Sequence, residues 1–157
     1  MHGPLYSPGG AHPEGNYNGV DRCTRNRAKS RPITMKFTLE SSSNVNVIRS
    51  YSPEELRIGE QSIRSSCIVM ADALILQWPP ATVDDLQVSH LAPIFELRPE
   101  LVLIGTGARQ RFAPADIRSA FAGRGIGIES MDLGAACRTF NILVQEERRV
   151  AAALFLK

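Results

Sequence analysis

The chain is poor in the residues that most often announce chemistry. Its only histidines are His2, His12 and His90, and its three cysteines, Cys23, Cys67 and Cys137, lie far apart with no C-x-x-C pair. No histidine stands at ligand spacing from a cysteine, so neither a zinc site nor a Cys-His dyad is expected, and the scattered thiols read as free in a reducing compartment. No apolar run approaches the roughly 20 residues that a membrane-spanning helix needs, and the amino terminus lacks the apolar centre of a signal peptide. A Gly-Lys-Ser/Thr step is missing as well, which removes the nucleotide triphosphate loop. These gaps lead to the expectation of a soluble, unsecreted protein with no metal site.

What is present is ordinary globular composition, with 43% hydrophobic and 22% charged residues in 157, enough for one domain with a real core. The net charge of +2 is unevenly spread, because Arg22, Arg25, Arg27, Lys29 and Arg31 face only Glu14 and Asp21 in residues 1–34. The remainder is close to neutral and lacks the basic face that phosphate contacts require, so no nucleic-acid binding is expected of it. Residues 1–34 are rich in Gly, Pro, Asn and Arg and almost free of aliphatics. They are expected to form a disordered tail, since they cannot bury enough apolar surface to offset the entropy of ordering. Their basic stretch also fits a targeting segment or a nucleic-acid arm, but prolines and glycines oppose the amphipathic helix that targeting needs. Met35 opens Met-Lys-Phe-Thr-Leu-Glu like the start of a domain, and the α/β domain is assigned to residues 35–157.

Short antiparallel strands are expected from the alternation at Val45, Val47, Ile48 and Tyr51 and again at Leu56, Ile58 and Ile63, with a turn at Gly59. Ser66–Met70 and Ala73–Trp78 read as buried strands, the second stopped by Pro79 and Pro80, which cannot donate to a sheet ladder. Thr82–Asp85 has the form of a capping box, and a short helix begins near Ser89. Pro114 opens another helix, with Gly123 expected as its left-handed cap. Gly125–Glu129 follows as a strand. Ser130 or Asp132 then caps a longer helix whose inward stripe is Leu133, Ala136, Cys137, Phe140, Leu143 and Val144. Arg148–Leu156 completes the pattern as an apolar strand. Strands and helices alternating from Ala73 onward give the fold class as α/β, a three-layer single domain with a mixed, largely parallel central sheet, flanking helices and an additional N-terminal β layer.

The stretch Leu-Val-Leu-Ile-Gly-Thr-Gly-Ala-Arg, residues 101–109, describes a buried strand that breaks into a glycine-lined loop, where open α/β sheets place ligands. Gly105 and Gly107 would let backbone N–H groups approach an anion, with positive charge from Arg109 beside them. Gln110 occupies the third glycine position of the dinucleotide fingerprint, so binding of a small anion is the better reading. If strands 73–78 and 101–104 are parallel neighbours, Trp78, Gly105, Thr106, Gly107 and Arg109 line one crevice, and Arg138 on the long helix flanks it. Cys137 falls on that helix's apolar stripe, where a thiol is a core residue and not a nucleophile.

Three motifs in order carry a family resemblance: Gly105-Thr106-Gly107 after its aliphatic strand, Met131 with Gly134-Ala-Ala-Cys-Arg-Thr-Phe-Asn-Ile-Leu143, and Glu146-Glu-Arg-Arg-Val-Ala-Ala-Ala-Leu154. The chain resembles the small domain of mitochondrial respiratory complex I assembly factor 3 and its bacterial and archaeal relatives, over about residues 37–157. The resemblance implies a three-layer α/β fold and no enzyme activity or cofactor established for the family at large. It also implies action through protein partners, in the cytoplasm of a bacterium or the mitochondrial matrix of a eukaryote. Leu133 stands where the family commonly has threonine, Phe140 where it has tyrosine and Glu147 where it has glycine. The competing function is that of a small-anion or ligand binder, or an enzyme, using the crevice of Trp78, Gly105–Gly107 and Arg138.

Overall fold

The strand that comes last in sequence, Val150–Phe155, lies in the middle of the principal sheet. All six of its residues are buried, as a continuous apolar run demands when both faces of a sheet are covered. The computed structural model describes residues 45–156 together with Gly3 and Gly9. The chain divides into two units, Met1–Ser43 and Asn44–Lys157, and the fold described is that of the second. The expected disordered tail and the domain start at Met35 lie outside the described residues.

Eight strands and three α-helices are described: β1 (Ile48–Tyr51), β2 (Leu56–Ile58), β3 (Gln61–Ile63), β4 (Cys67–Val69), β5 (Leu74–Ile75), α1 (Ala92–Leu97), β6 (Leu101–Thr106), α2 (Ala115–Ala122), β7 (Gly127–Met131), α3 (Leu133–Gln145) and β8 (Val150–Phe155). Tight 3-10 turns precede α1 at Val83–Asp85 and Val88–Leu91. No helix among the described residues is long and apolar enough to cross a membrane.

The principal sheet is mixed, in the order β5-β4-β8-β6-β7. β6 runs parallel to β7 and to β8, whereas β4 runs antiparallel to β5 and to β8. The step β6–α2–β7 moves outward and the step β7–α3–β8 returns past β6. If both crossovers keep the right-handed sense, the two helices must lie on opposite faces, and the cores agree. Val150, Ala152 and Leu154 pack with Leu103, Cys67, Val69 and the α3 residues Ala136, Cys137 and Phe140. The alternate residues Ala151, Ala153 and Phe155 pack with Val102, Ile104, Ile68 and the α2 residues Ile117 and Phe121.

The strands β1, β2 and β3 form a separate antiparallel sheet whose Ile48, Leu56, Ile58 and Ile63 join the first of these cores. Its attachment to α3 is specific. Asn141 accepts a hydrogen bond from Ile48 N–H at 3.0 Å and donates to Ile48 C=O at 2.8 Å, which satisfies both main-chain groups of Ile48 beside the irregularity that shifts the β1–β2 register between Ile48 and Ser50. Asn46 plays a similar part at the β4–β5 turn, donating to the carbonyls of Met70 and Ala73.

Several local expectations need correction. The strand expected at Ala73–Trp78 is only Leu74–Ile75, an edge strand paired with β4 alone, so it is no neighbour of β6. Gln77 adopts φ +55°, which ends extended structure before the prolines do. Gly123 is right-handed at φ −61°, and the left-handed turn after α2 falls on Gly125 at φ +69°. The strand expected at 125–129 is accordingly displaced to 127–131, and Ser130 belongs to it. Asp132 caps α3, its side chain accepting from Ala135 N–H.

The other end of α3 closes in a Schellman motif, with Glu147 N–H donating to Val144 C=O and Arg148 N–H to Leu143 C=O, each at 3.0 Å. The left-handed residue of that motif is Glu147, at φ +59°. A side chain there is strained by about 1 kcal/mol or more, and glycine, which the family resemblance puts at this position, is not. Glu147→Gly is expected to raise stability by up to about 1 kcal/mol in urea titration; a loss of stability would mean that Glu147 makes a compensating interaction.

Candidate functional site

A surface hollow of about 290 Å³ opens at the carboxyl ends of β6 and β7. Three segments bring its walls together: Tyr51, Ser52 and Pro53 from the end of β1, Gly107 and Ala108 after β6, and Asp132, Leu133, Gly134 and Arg138 from the start of α3. The loop is fastened to the helix where Leu133 N–H donates to Gly107 C=O at 2.8 Å.

Across the hollow, Arg138 Nη1 donates to the Tyr51 hydroxyl at 2.6 Å. Gly134 makes this approach feasible, because a Cβ there would lie 2.9 Å from Tyr51 Cε2, 3.1 Å from its hydroxyl and 3.2 Å from Arg138 Nη1. The two ion pairs among the described residues are Arg49–Glu60 and Arg111–Asp84, and Arg138 belongs to neither. Its guanidinium carries five N–H donors in a fixed fork. The hydrogen bonds found for it engage one nitrogen, with a neutral partner. Asp132, which also lines the hollow, has its carboxylate turned toward the helix N-terminus as the cap.

The six residues singled out from sequence do not share this place. Gly107 and Arg138 do line the hollow. Gly105 lies inside β6, opposite Met131 of β7 and Leu154 of β8, and its missing side chain serves packing: a Cβ there would sit 2.9 Å from Leu154 Cδ2 and 3.0 Å from Ala136 Cβ. Thr106 is buried, and its hydroxyl accepts from Arg111 N–H and has its single proton within reach of two carbonyls, that of Arg109 at 2.7 Å and that of Met131 at 3.1 Å. It knots the loop from within and is not among the residues lining the hollow. Arg109 contributes that carbonyl and is not among the residues lining the hollow.

Trp78 is turned into the opposite core, with its ring centroid 5.2 Å from Phe155 and its indole N–H donating to His90 C=O at 3.0 Å. It borders a different hollow, with Arg64 and Leu156. The crevice expected between Trp78 and the Gly105 loop is thus divided by the sheet: the apolar run that should have carried Trp78 alongside β6 leaves the sheet two residues after it enters. Sequence reasoning missed Tyr51, the partner of Arg138, because the two stand 87 residues apart.

Cys67 and Cys137 are free and buried in the same core. Burial pushes each thiol from 9.0 up to about 12, with Cys67 a secondary contribution to Cys137 that the nearby Arg138 opposes. Below pH 9 both folded and unfolded chains hold these protons. Above it the unfolded chain ionises first, so the thiol contribution to stability is lost as pH rises from about 9 to about 12. Native labelling by a thiol reagent at neutral pH should be slow at both residues and rapid after denaturation; fast native labelling of Cys137 would restore it as a nucleophile.

These features define a small mixed α/β domain that carries a surface hollow at the carboxyl ends of its parallel strands. The chain belongs to the family described as "Protein of unknown function (DUF498/DUF598)", whose model matches residues 48–155. It is 36% identical over 126 residues to NADH dehydrogenase [ubiquinone] 1 alpha subcomplex assembly factor 3 of Danio rerio, covering 79% of this chain and 72% of the relative. It is 33% identical to the 13 kDa major membrane protein of Francisella tularensis, over 63% of this chain and 80% of that one. Among solved structures, a Xanthomonas campestris protein determined by NMR is 36% identical with TM-score 0.67, covering 73% of this chain and 87% of the other. The resemblance carried by the three sequence motifs is therefore to the right family.

Proposed function

We propose that this chain is a three-layer, non-catalytic α/β domain that works by binding protein partners, in the manner its assembly-factor relatives' name describes. The observation that carries the reading is the 36% identity to an assembly factor of NADH dehydrogenase over 126 residues. The geometry is compatible with it. The hollow places Tyr51 and Arg138, residue types enriched at interface hot spots, side by side at the surface. Both core thiols are locked in their protonated form, and His90 spends its Nδ1 on Gln87 N–H. The cytoplasm of a bacterium or the mitochondrial matrix of a eukaryote is the proposed setting.

Affinity purification of the full chain from its native host should recover a protein partner in near-stoichiometric amount. Recovery of nothing beyond the tag-only control would overturn the reading. A second reading, binding of a small anion, is favoured by one specific feature, the guanidinium of Arg138 beside Gly107 in the hollow. Inorganic phosphate that shifts the Arg138 side-chain NMR signals and saturates would support it.

A further inference from the structure

We infer that the partner contributes an acidic segment, one carboxylate flanked by apolar side chains, which docks on the stripe Gly134–Arg138–Ile142 of α3 and on Tyr51. This deepens the partner-binding reading and rests on it. Residues four apart stand one above another on a helix face, about 5–6 Å between Cβ atoms. Positions 134, 138 and 142 therefore make one continuous track. The track is open at Arg138 and at Ile142, which is 56% exposed, and Tyr51, which leans over Gly134, is itself 42% exposed, on a chain with few exposed large apolar side chains among the described residues. Gly134 adds no bulk, so the floor of the hollow continues into the stripe.

Arg138 lies between the two apolar side chains, its Nη1 held by the Tyr51 hydroxyl. That hydrogen bond fixes the guanidinium plane without neutralising it. A carboxylate meeting the rest of the fork would form the two parallel N–H···O bonds that make such pairs strong and directional. Apolar neighbours of that carboxylate would then cover Tyr51 on one side and Ile142 on the other and exclude water from the pair.

The same charge argues against a second copy of this chain on a two-fold axis through the stripe. An isologous contact centred there would bring Arg138 against its own equivalent. Asp132 weakens the interaction, because its carboxylate, although turned to cap α3, leaves a negative charge beside the hollow that opposes an incoming acid.

The test uses the full chain and a phage-displayed library of random 12-residue peptides. Peptides selected by the wild type should carry Asp or Glu flanked by Leu, Ile or Phe. A representative synthetic peptide, titrated by fluorescence anisotropy, should bind Arg138→Gln at least tenfold more weakly. It should bind Asp132→Asn severalfold more tightly, since Asn preserves the cap while removing the charge. A Glu→Gln peptide should bind the wild type and Arg138→Gln alike, closing a double-mutant cycle. Opposite shifts from two neighbouring substitutions are not what a general loss of fold produces, and melting curves confirm that both variants fold. Selection without acidic enrichment, or affinity indifferent to Arg138, overturns the inference. A host protein that still co-purifies with Arg138→Gln overturns it too, yet leaves the partner reading standing. Phosphate binding at Arg138 with no peptide selected would reassign the hollow to a small anion.

Discussion

Phenylalanine 140 replaced by alanine is expected to cost about 3–5 kcal/mol, the range for truncating a fully buried aromatic side chain. Phe140 is wholly inaccessible and sits where the inward stripe of α3 meets β8 and the small sheet, beside Cys67, Val69, Ala152 and Leu154. Its neighbours are strands and a helix fixed on several sides, so the void can collapse only in part. A domain of this size has a stability of roughly 5–15 kcal/mol, so the variant gives up a large fraction of it. Urea titration should show a much lower midpoint at unchanged slope. A loss below about 1 kcal/mol would mean that the core is far more compliant than its packing implies.

Gly105→Val is the second large effect, from the opposite cause. Its first side-chain carbon would already press within 2.9 Å of Leu154 Cδ2, 3.0 Å of Ala136 Cβ and 3.6 Å of Leu133 Cα, and two further methyl groups follow. Leu154 belongs to the central strand and the other two to the helix packed on it, so relief requires lifting α3 from the sheet. Overpacking of this kind costs about 1–3 kcal/mol, and the upper end applies where helix backbone is among the obstacles. Gly123→Ala is the control. That residue is right-handed, and its Cβ would find ordinary contacts at 3.4 and 3.9 Å, so it should change stability little or raise it. Equal damage from both substitutions would sink the packing account of Gly105.

The two glycines of the Gly-Thr-Gly motif illustrate what can be read from one chain. That a residue without a side chain is needed at 105 was legible. The reason was not, since an approaching anion and an approaching helix ask for the same thing. The periodic stripe of α3 and the continuous apolar run of β6 were legible because burial on one side or on both writes a distinct spacing into the sequence. An apolar run does not name its neighbour, however. Leu74 and Ile75 pair with β4 and not with β6, and the turn at Gln77 that swings Trp78 into the far core follows from no local preference of glutamine. For the candidate site, Arg138 and Gly107 were read correctly as close to one another. Tyr51 and the clasp of Asn141 on Ile48 were invisible because each joins segments about 90 residues apart, and nothing local marks such a pair.

The central place of β8 bears on the life of the chain before it is complete. While residues 150–155 are still unmade, β4 and β6 have no strand between them, and the main-chain groups that each will offer to β8 stand open on facing edges. Every earlier element of the sheet must therefore wait, tethered to the ribosome, for a strand synthesised after all of them. During that interval Cys67–Val69 and Leu101–Thr106 are short, apolar, uncharged strands with exposed edges, the kind of segment that seeks pairing with other molecules. Nascent chains stalled before residue 150 should consequently recruit chaperones and yield to protease, and those stalled later, once β8 has cleared the exit tunnel on an added linker, should do neither.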